Sequence, residues 1–365
     1  MKVVLVTNIP APYRIPVYEL IKKVDITIAF CSKSERNRNW KQKPLEFKHA
    51  FLEGTVNEKT DGLNFIHNNP AIWSFLNQEK PNIIITTGFN PTHLYAFIWA
   101  KMYGAKHICM TDGSVYSESK LSPLHKWVRR IVFLGSHSFI AASKSGAELY
   151  KSYGIADRKI FRSPLAVNNA RYFSAAKATT RNYDVCFSGQ FHDRKLPFFF
   201  VEVCAEIRAR TGTCKALLMG DGPLRDMLLE RLCAAGIDFH YQGFVEQEDL
   251  PTHYASAKIL LFPSLNDTWG VVTNEAMAAG TPVITTPFAG VADELVIDGK
   301  TGYVRDINVN AWADVVMNVL QDDHHRNELA KAGQELVKEY NFDAAAEGIE
   351  AACIYVNKNS HSAGA

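Results

Sequence analysis

No apolar run in the 365-residue chain approaches the ~18–20 residues that a membrane-spanning helix needs. The opening MKVVLVTNIPAPYR is too briefly apolar for a secretory signal and reads as a buried first strand. Paired cysteines are missing as well. The seven present (Cys31, Cys109, Cys186, Cys204, Cys214, Cys233, Cys353) are scattered and form no CxxC, which argues against a zinc site or disulfide framework and for reduced thiols in a cytosolic protein. Neither half carries Gly-x-Gly-x-x-Gly after its first strand, so a dinucleotide cofactor is unsupported. Asp-x-Asp is absent too, and with it the usual means of bridging a diphosphate through a metal. No repeat of solenoid period occurs, and only the tail NKNSHSAGA looks frayed.

What remains is the composition of a water-soluble globular chain, 47% hydrophobic and 21% charged, long enough for two domains with proper cores. The net charge of +2 conceals an asymmetry. Residues 1–177 hold 25 Lys and Arg against 12 Asp and Glu, and the remainder is correspondingly acidic. A basic half joined to an acidic one points to an anionic surface or partner for the first, or to a drift of charge between domains. Short apolar strands alternate with helical patterns, the signature of parallel α/β sheets. Strands are expected at 2–7, 26–30, 82–87, 107–112 and 138–143, then at 183–189, 214–220, 237–243, 257–264 and 282–286. The polar stretch 168–183 between the two series reads as a linker. The expected divisions are 1–170, 171–340, a helix over 341–357 and a flexible tail over 358–365. Two Rossmann-like halves make a cleft, and ligands in such sheets lie beyond the carboxyl ends of the strands.

The loops after the second-half strands carry the most information. Following YDVCFSG, the segment QFHDRKLPFFF places Arg194 and Lys195 just before a helix. Cations beside free N–H groups and a positive dipole end suit a diphosphate, with a solvated basic turn as the alternative. In NDTWGVVTNEAMAAGTP, Asp267 and Glu275 lie eight positions apart around a Trp-Gly, with a helix from just after Gly270 to Gly280. Gly270 suits a close backbone approach.

Taken together, the run GQFHDRK … MGDGPLRDML … YQGFVEQEDLPTHYASAKILLFPS … DTWGVVTNEAMAAGTPVITT … DELVIDGKTGYV resembles the C-terminal domain of glycosyltransferase family 4. These are retaining sugar-nucleotide transferases of the GT-B fold. The resemblance is dense over roughly 183–305. It implies an α/β chain of two Rossmann-like domains facing across a cleft, with a C-terminal helix crossing back to the N-domain. It also implies that Glu275 holds the donor ribose and Asp267 meets hydroxyls of the transferred sugar. The backbone N–H groups of Trp269, Gly270 and Val271 line that end. Arg194 and Lys195 clamp the diphosphate and stabilise the leaving group, on the loop opened by Gly189. Gly243 and Phe244 edge the base. Two departures stand out: Asp267 replaces the family's usual Glu, and Gly189-Gln190-Phe191 replaces its Gly-Arg-Leu.

The first half matches less closely. NIPAPYRIP stands where the family has a glycine-rich loop, with Tyr13 and Arg14 candidates for facing the cleft. Thr111-Asp112 stands where the family has His-Asp, leaving Asp112 to contact sugar or acceptor. His93 follows another strand end, where a structural role is the alternative. In KLSPLHKWVRRIVFLG, the residues Lys126, Arg129 and Arg130 beside Trp127, Val128, Ile131 and Phe133 suit an anionic membrane or simply a solvated helix face. The loop KSERNRNWKQK adds five cations.

The expected function is transfer of a sugar from a nucleoside-diphosphate sugar, UDP favoured over GDP, to a hydroxyl of a glycan or lipid-linked acceptor in bacterial surface-polysaccharide synthesis. It would take place on the cytoplasmic face of the cell membrane, with retained anomeric configuration. No cofactor, no metal and no nucleic-acid partner is expected. The alternatives are a GT-B phosphorylase or hydrolase releasing sugar or sugar phosphate, and a non-catalytic nucleotide-sugar-binding protein.

Overall fold

A computed structural model describes residues 1–38, 40, 44–59 and 65–359. The strands are β1 (Lys2–Thr7), β2 (Asp25–Phe30), β3 (His49–Phe51), β4 (Thr55–Glu58), β5 (Phe65–Asn68), β6 (Ile83–Thr86), β7 (Lys106–Thr111), β8 (Ser138–Ala141) and β9 (Ile160–Arg162) in the first half. The second half supplies β10 (Tyr183–Ser188), β11 (Lys215–Met219), β12 (Asp238–Gly243), β13 (Ala257–Phe262), β14 (Val283–Thr285) and β15 (Gly302–Val304).

They form two parallel sheets, ordered β3-β2-β1-β6-β7-β8-β9 and β12-β11-β10-β13-β14-β15, with β4 and β5 paired as a separate antiparallel ribbon. Strands such as VVLV in β1 and IIIT in β6 are buried throughout, as expected where helices cover both faces of a parallel sheet. Each sheet reverses its winding once, between β1 and β6 in the first and between β10 and β13 in the second. A reversal of this kind opens a crevice at the strand carboxyl ends.

The chain divides into two units, Ala166–Asn341 and a second made of Met1–Leu165 with the segment from Phe342 onward. The helix Phe342–Lys358 buries Ala345, Ala346, Ile349, Ala352, Cys353 and Val356 in the core that also holds Val3, Leu5, Tyr18 and Ile85. Its Glu350 carboxylate accepts the backbone N–H groups of Lys22 and Lys23 at 2.7 and 2.6 Å. Those two bonds satisfy donors left over beyond the end of the short helix Ile15–Leu20.

Three features differ from the sequence expectations. The supposed linker is largely the helix Asn169–Ala178, capped by the Asn168 side chain. It belongs to the second unit: Tyr172 is buried, and Arg181 beyond it bonds Gly280 O at 2.5 Å and Thr281 Oγ1 at 3.0 Å. The strands β3, β4, β5, β9 and β15 were not foreseen. They are three or four residues long, too short for a periodicity to register. Finally, the helix continues to Lys358, so the tail begins later than 358; residues 360–365 lie outside the described residues.

Candidate functional site

The winding reversal of the second sheet collects most of the residues singled out in sequence. After β10 the chain passes Gly189 and Gln190 into a 3-10 turn, Asp193–Lys195, and then the helix Pro197–Thr211. Leu196, between them, adopts a left-handed backbone (φ 51°), a strained choice for a branched residue and one that clusters at functional sites. Phe191 is fully buried and anchors the loop. Its N–H donates to Asp221 O and its carbonyl accepts from Leu224 N. The GDG segment explains itself here: a Cβ on Gly220 would lie 1.9 Å from Gly189 O. Those glycines serve loop-on-loop packing.

After β13, Asp267 reaches back to the first loop, where its carboxylate pairs with the Lys195 ammonium. Lys195 also lies over the Phe262 ring, 4.5 Å from its centroid. Burial opposes ionisation of Asp267, but Lys195, with a lesser contribution from Arg194, overcomes it and holds the carboxyl below its usual range. Asp267 Oδ1 accepts the Trp269 N–H at 3.1 Å. The Trp269 amide, expected to line the donor site, is here engaged by Asp267. Its indole is buried, stacked on Tyr340 and bonded to Asn274 Oδ1 at 2.8 Å. Gly270 then opens the helix Val271–Ala278 with φ 104° and no side-chain cap. A Cβ there would meet the Phe262 ring at 2.4 Å, so the glycine answers to a close neighbour as well as to its dihedral. The first amides of this helix, at Val271 and Val272, receive no side-chain oxygen.

Glu275, inside the helix, is of a different kind. It is 7% exposed, and its carboxylate takes the Tyr254 hydroxyl at 2.8 Å and a further bond from Tyr172. Burial outweighs both and lifts its pKa to about 7. Tyr254 also bonds Ser188 Oγ at 2.6 Å, tying Glu275 to the end of β10. Gly243 ends β12 with φ 72°, and its carbonyl accepts the Gly220 N–H at 2.7 Å. Phe244 beside it is 41% exposed. The structure thus brings Gly189, Arg194, Lys195, Asp267, Gly270, Val271 and Glu275 around adjacent strand ends. Sequence reading passed over His192, Ser188, Tyr172 and Tyr254, whose only signal is their burial in the fold.

The first sheet shows more closed arrangements. Arg14 is buried and its guanidinium binds Asp112 Oδ1 at 2.8 Å and Ser163 Oγ at 3.4 Å. Asp112 keeps 42% of its side chain exposed. Arg14 therefore holds the acid rather than reaching outward itself. Tyr13 stands edge-on to Trp40 at 6.2 Å, with its hydroxyl pKa raised by burial and then by Asp112. His93 is 1% exposed at the start of the helix Pro91–Tyr103, and burial keeps it neutral with a pKa of about 3.

The basic helix, Pro123–Gly135, differs from its sequence reading. Arg129 is engaged with Glu118 at 2.6 Å and lies over the Phe89 ring, and Phe133 is core. The exposed apolar face is instead Leu124, Trp127, Ile131 and Leu134, at 66, 61, 41 and 76%. Arg130 is exposed, and Lys126 reaches Ser119 O at 3.4 Å. Of the basic loop, Lys41 and Lys43 lie outside the described residues. No described helix is long and apolar enough to cross a membrane. Among the described residues no group of three or more His, Cys, Asp or Glu is disposed to hold a metal.

Two parallel sheets with these windings, and a polar cluster at the reversal of the second, form the GT-B fold. The chain belongs to the family described as glycosyl transferases group 1, whose model matches residues 169–351, half of the sequence. It is 27% identical to the alpha-D-kanosaminyltransferase of Streptomyces kanamyceticus over 226 residues, 60% of this chain and 52% of that one. The chain spans about half or less of the length of the curated relatives it matches. Anabaena HepE in complex with UDP is similar in structure, at TM-score 0.76 and 14% identity over 96% of this chain and 98% of that one. WaaG, a glycosyltransferase involved in lipopolysaccharide biosynthesis, follows at TM-score 0.66 and 14% identity, over 96% and 99%. At that identity the likeness carries the fold alone.

Proposed function

We propose that the chain is a retaining hexosyltransferase of glycosyltransferase family 4, moving a sugar from a UDP-sugar to a hydroxyl of a glycan or lipid-linked acceptor in surface-polysaccharide assembly. One observation carries this reading: at the winding reversal of one sheet the loop with Arg194 and Lys195 is joined to the next strand's loop through Asp267, and Glu275, in the helix that follows, is tied through Tyr254 to the end of β10. The named complexes of HepE with UDP and UDP-glucose support the choice of nucleotide, and the role printed for WaaG supports the choice of acceptor class.

In this reading the diphosphate draws Lys195 from Asp267 and takes Arg194 and the uncapped amides at Val271 and Val272 as further partners. Asp267, released, accepts hydroxyls of the sugar. Glu275 accepts from the ribose. The C1–O bond to the β-phosphate breaks while the acceptor oxygen bonds C1 on the same face. The acceptor proton leaves with the departing diphosphate, whose new charge the two cations stabilise. Asp112, held by Arg14, is the acid on the first unit proposed to meet the acceptor or the sugar. The exposed stripe Leu124, Trp127, Ile131 and Leu134, flanked by Lys126 and Arg130 with no acid in the helix, suits an anionic bilayer on the cytoplasmic side.

A panel of nucleotide sugars, read by thermal stabilisation and then by the anomeric configuration of the product, tests the proposal. Stabilisation by UDP-sugars and an extended glycan with retained configuration are expected, and both should survive excess EDTA. Release of free sugar or sugar phosphate alone would favour a hydrolase or phosphorylase.

A further inference from the structure

His192 lies in the same loop as the cations, two residues before Arg194 and three before Lys195, and is 6% exposed. Neither ring nitrogen has a hydrogen-bond partner among the described residues, and the same holds for Arg194 Nε. Buried polar atoms left unpaired forfeit their hydration without replacement. They are rare in folded chains and call for an explanation. The His192 carbonyl accepts the Lys195 N–H at 2.9 Å, so the residue belongs to the same turn as the Lys195–Asp267 pair; Arg194, Lys195, Asp193 and Asp267 are the charges its ring feels. Both nitrogens are shut from solvent in this arrangement of the loop.

We infer that His192 is a specificity-determining residue of the donor site, reading a hydroxyl of the transferred sugar once Lys195 has moved to the diphosphate. This rests on the donor site proposed above. The chemistry selects the hydroxyl over the phosphate. Burial, then Arg194 and Lys195, press the imidazole pKa down to about 4, so the ring is neutral at pH 7. A neutral imidazole offers one N–H and one acceptor nitrogen. A sugar hydroxyl likewise donates and accepts, whereas a phosphate oxygen only accepts and is already served by two cations. Asp267 takes the role of a second, charged acceptor for neighbouring hydroxyls.

Calorimetry with the full chain tests this, using UDP, UDP-glucose and its 2-, 3-, 4- and 6-deoxy analogues as probes, on the wild type, His192→Ala and His192→Gln. The expected result is unchanged UDP affinity in both variants, with UDP-glucose bound about tenfold more weakly by His192→Ala and partly restored by Gln. One deoxy analogue should bind wild type and His192→Ala alike, identifying the hydroxyl read. The melting temperature of His192→Ala should not fall, since its loss removes unpaired buried atoms. Equal weakening for UDP and every sugar, or no weakening for any, would overturn the assignment. If the wild type binds neither UDP nor UDP-glucose, the donor reading itself fails and this inference with it.

Discussion

The loops beyond the strand ends of the two sheets differ in how far their polar groups already satisfy one another. In the first unit Arg14 is divided between Asp112 and Ser163, and Glu118 takes both Arg129 at 2.6 Å and the Tyr153 hydroxyl at 2.5 Å. Unpaired buried atoms occur there too, at both ring nitrogens of His93, at His67 Nδ1 and at Arg38 Nε, away from the Arg14 and Glu118 networks in hydrogen bonding. In the second unit the Lys195–Asp267 pair stands next to unpaired His192 and Arg194 atoms and an acid poised near neutrality. A finished network fixes a surface. An unfinished one, held by a rigid fold, is completed by a ligand. The contrast agrees with the proposed capture of the nucleotide by the second sheet.

The largest expected effect tests the unfinished side. Lys195→Ala should lower kcat by about a hundredfold to a thousandfold, the scale for losing one preorganised donor to a developing anion. It also leaves Asp267 without its cation, so the melting temperature should fall as well. Steady-state kinetics and calorimetric melting check both, and a kcat within a fewfold of wild type would return Lys195 to a structural pair.

The two acids should separate in their pH dependence. Glu275 has a folded pKa of about 7 against an ordinary 4.5, so the folded state favours its protonated form. Its contribution to stability is full below pH ~4.5 and is lost as pH rises through about 7, in all roughly 3 kcal/mol. Asp267 is lowered, and its contribution, present above the unfolded pKa, is lost as pH falls through the folded one. Glu275→Gln should therefore remove a decline in stability between pH 5 and 8, while Asp267→Asn should leave that decline in place. Denaturant titrations across this range decide it. An unchanged decline in Glu275→Gln would show that another group carries it.

The smallest effect concerns the first unit's surface. Replacing Leu124, Trp127 and Leu134 with Ser should reduce sedimentation with anionic vesicles without altering UDP affinity. Lys126→Gln and Arg130→Gln should reduce only the salt-sensitive part, about 1 kcal/mol per charge and screened within ~8 Å at physiological salt. Equal sedimentation with neutral vesicles would remove the electrostatic component.

Of the ten expected strands all but β12 were legible as buried apolar runs between turn residues; β12, DFHYQG, is exposed or half-buried throughout. The site loops were legible because Asp267, Glu275, Arg194 and Lys195 follow strand ends. Burial of individual side chains was not legible. The helix Asn169–Ala178 looked like a linker because Tyr172 is the one side chain it buries. Phe133 reads as surface beside its basic neighbours, but six residues at ~100° each turn it well away from the exposed Trp127 and into the core. His192 carries no sequence signal at all beyond its place in the loop. Its interest arises from two nitrogens that the fold buries without partners.

Titration of UDP into the 365-residue chain in excess EDTA bears most directly on the division of labour between the sheets. Arg194→Gln with Lys195→Gln should weaken UDP by tenfold or more, on the scale of about 1.5–3 kcal/mol for a hydrogen bond to a charged group. Asp112→Asn should bind it as the wild type does. Equal affinity in all three proteins, or a loss confined to Asp112→Asn, would contradict the account.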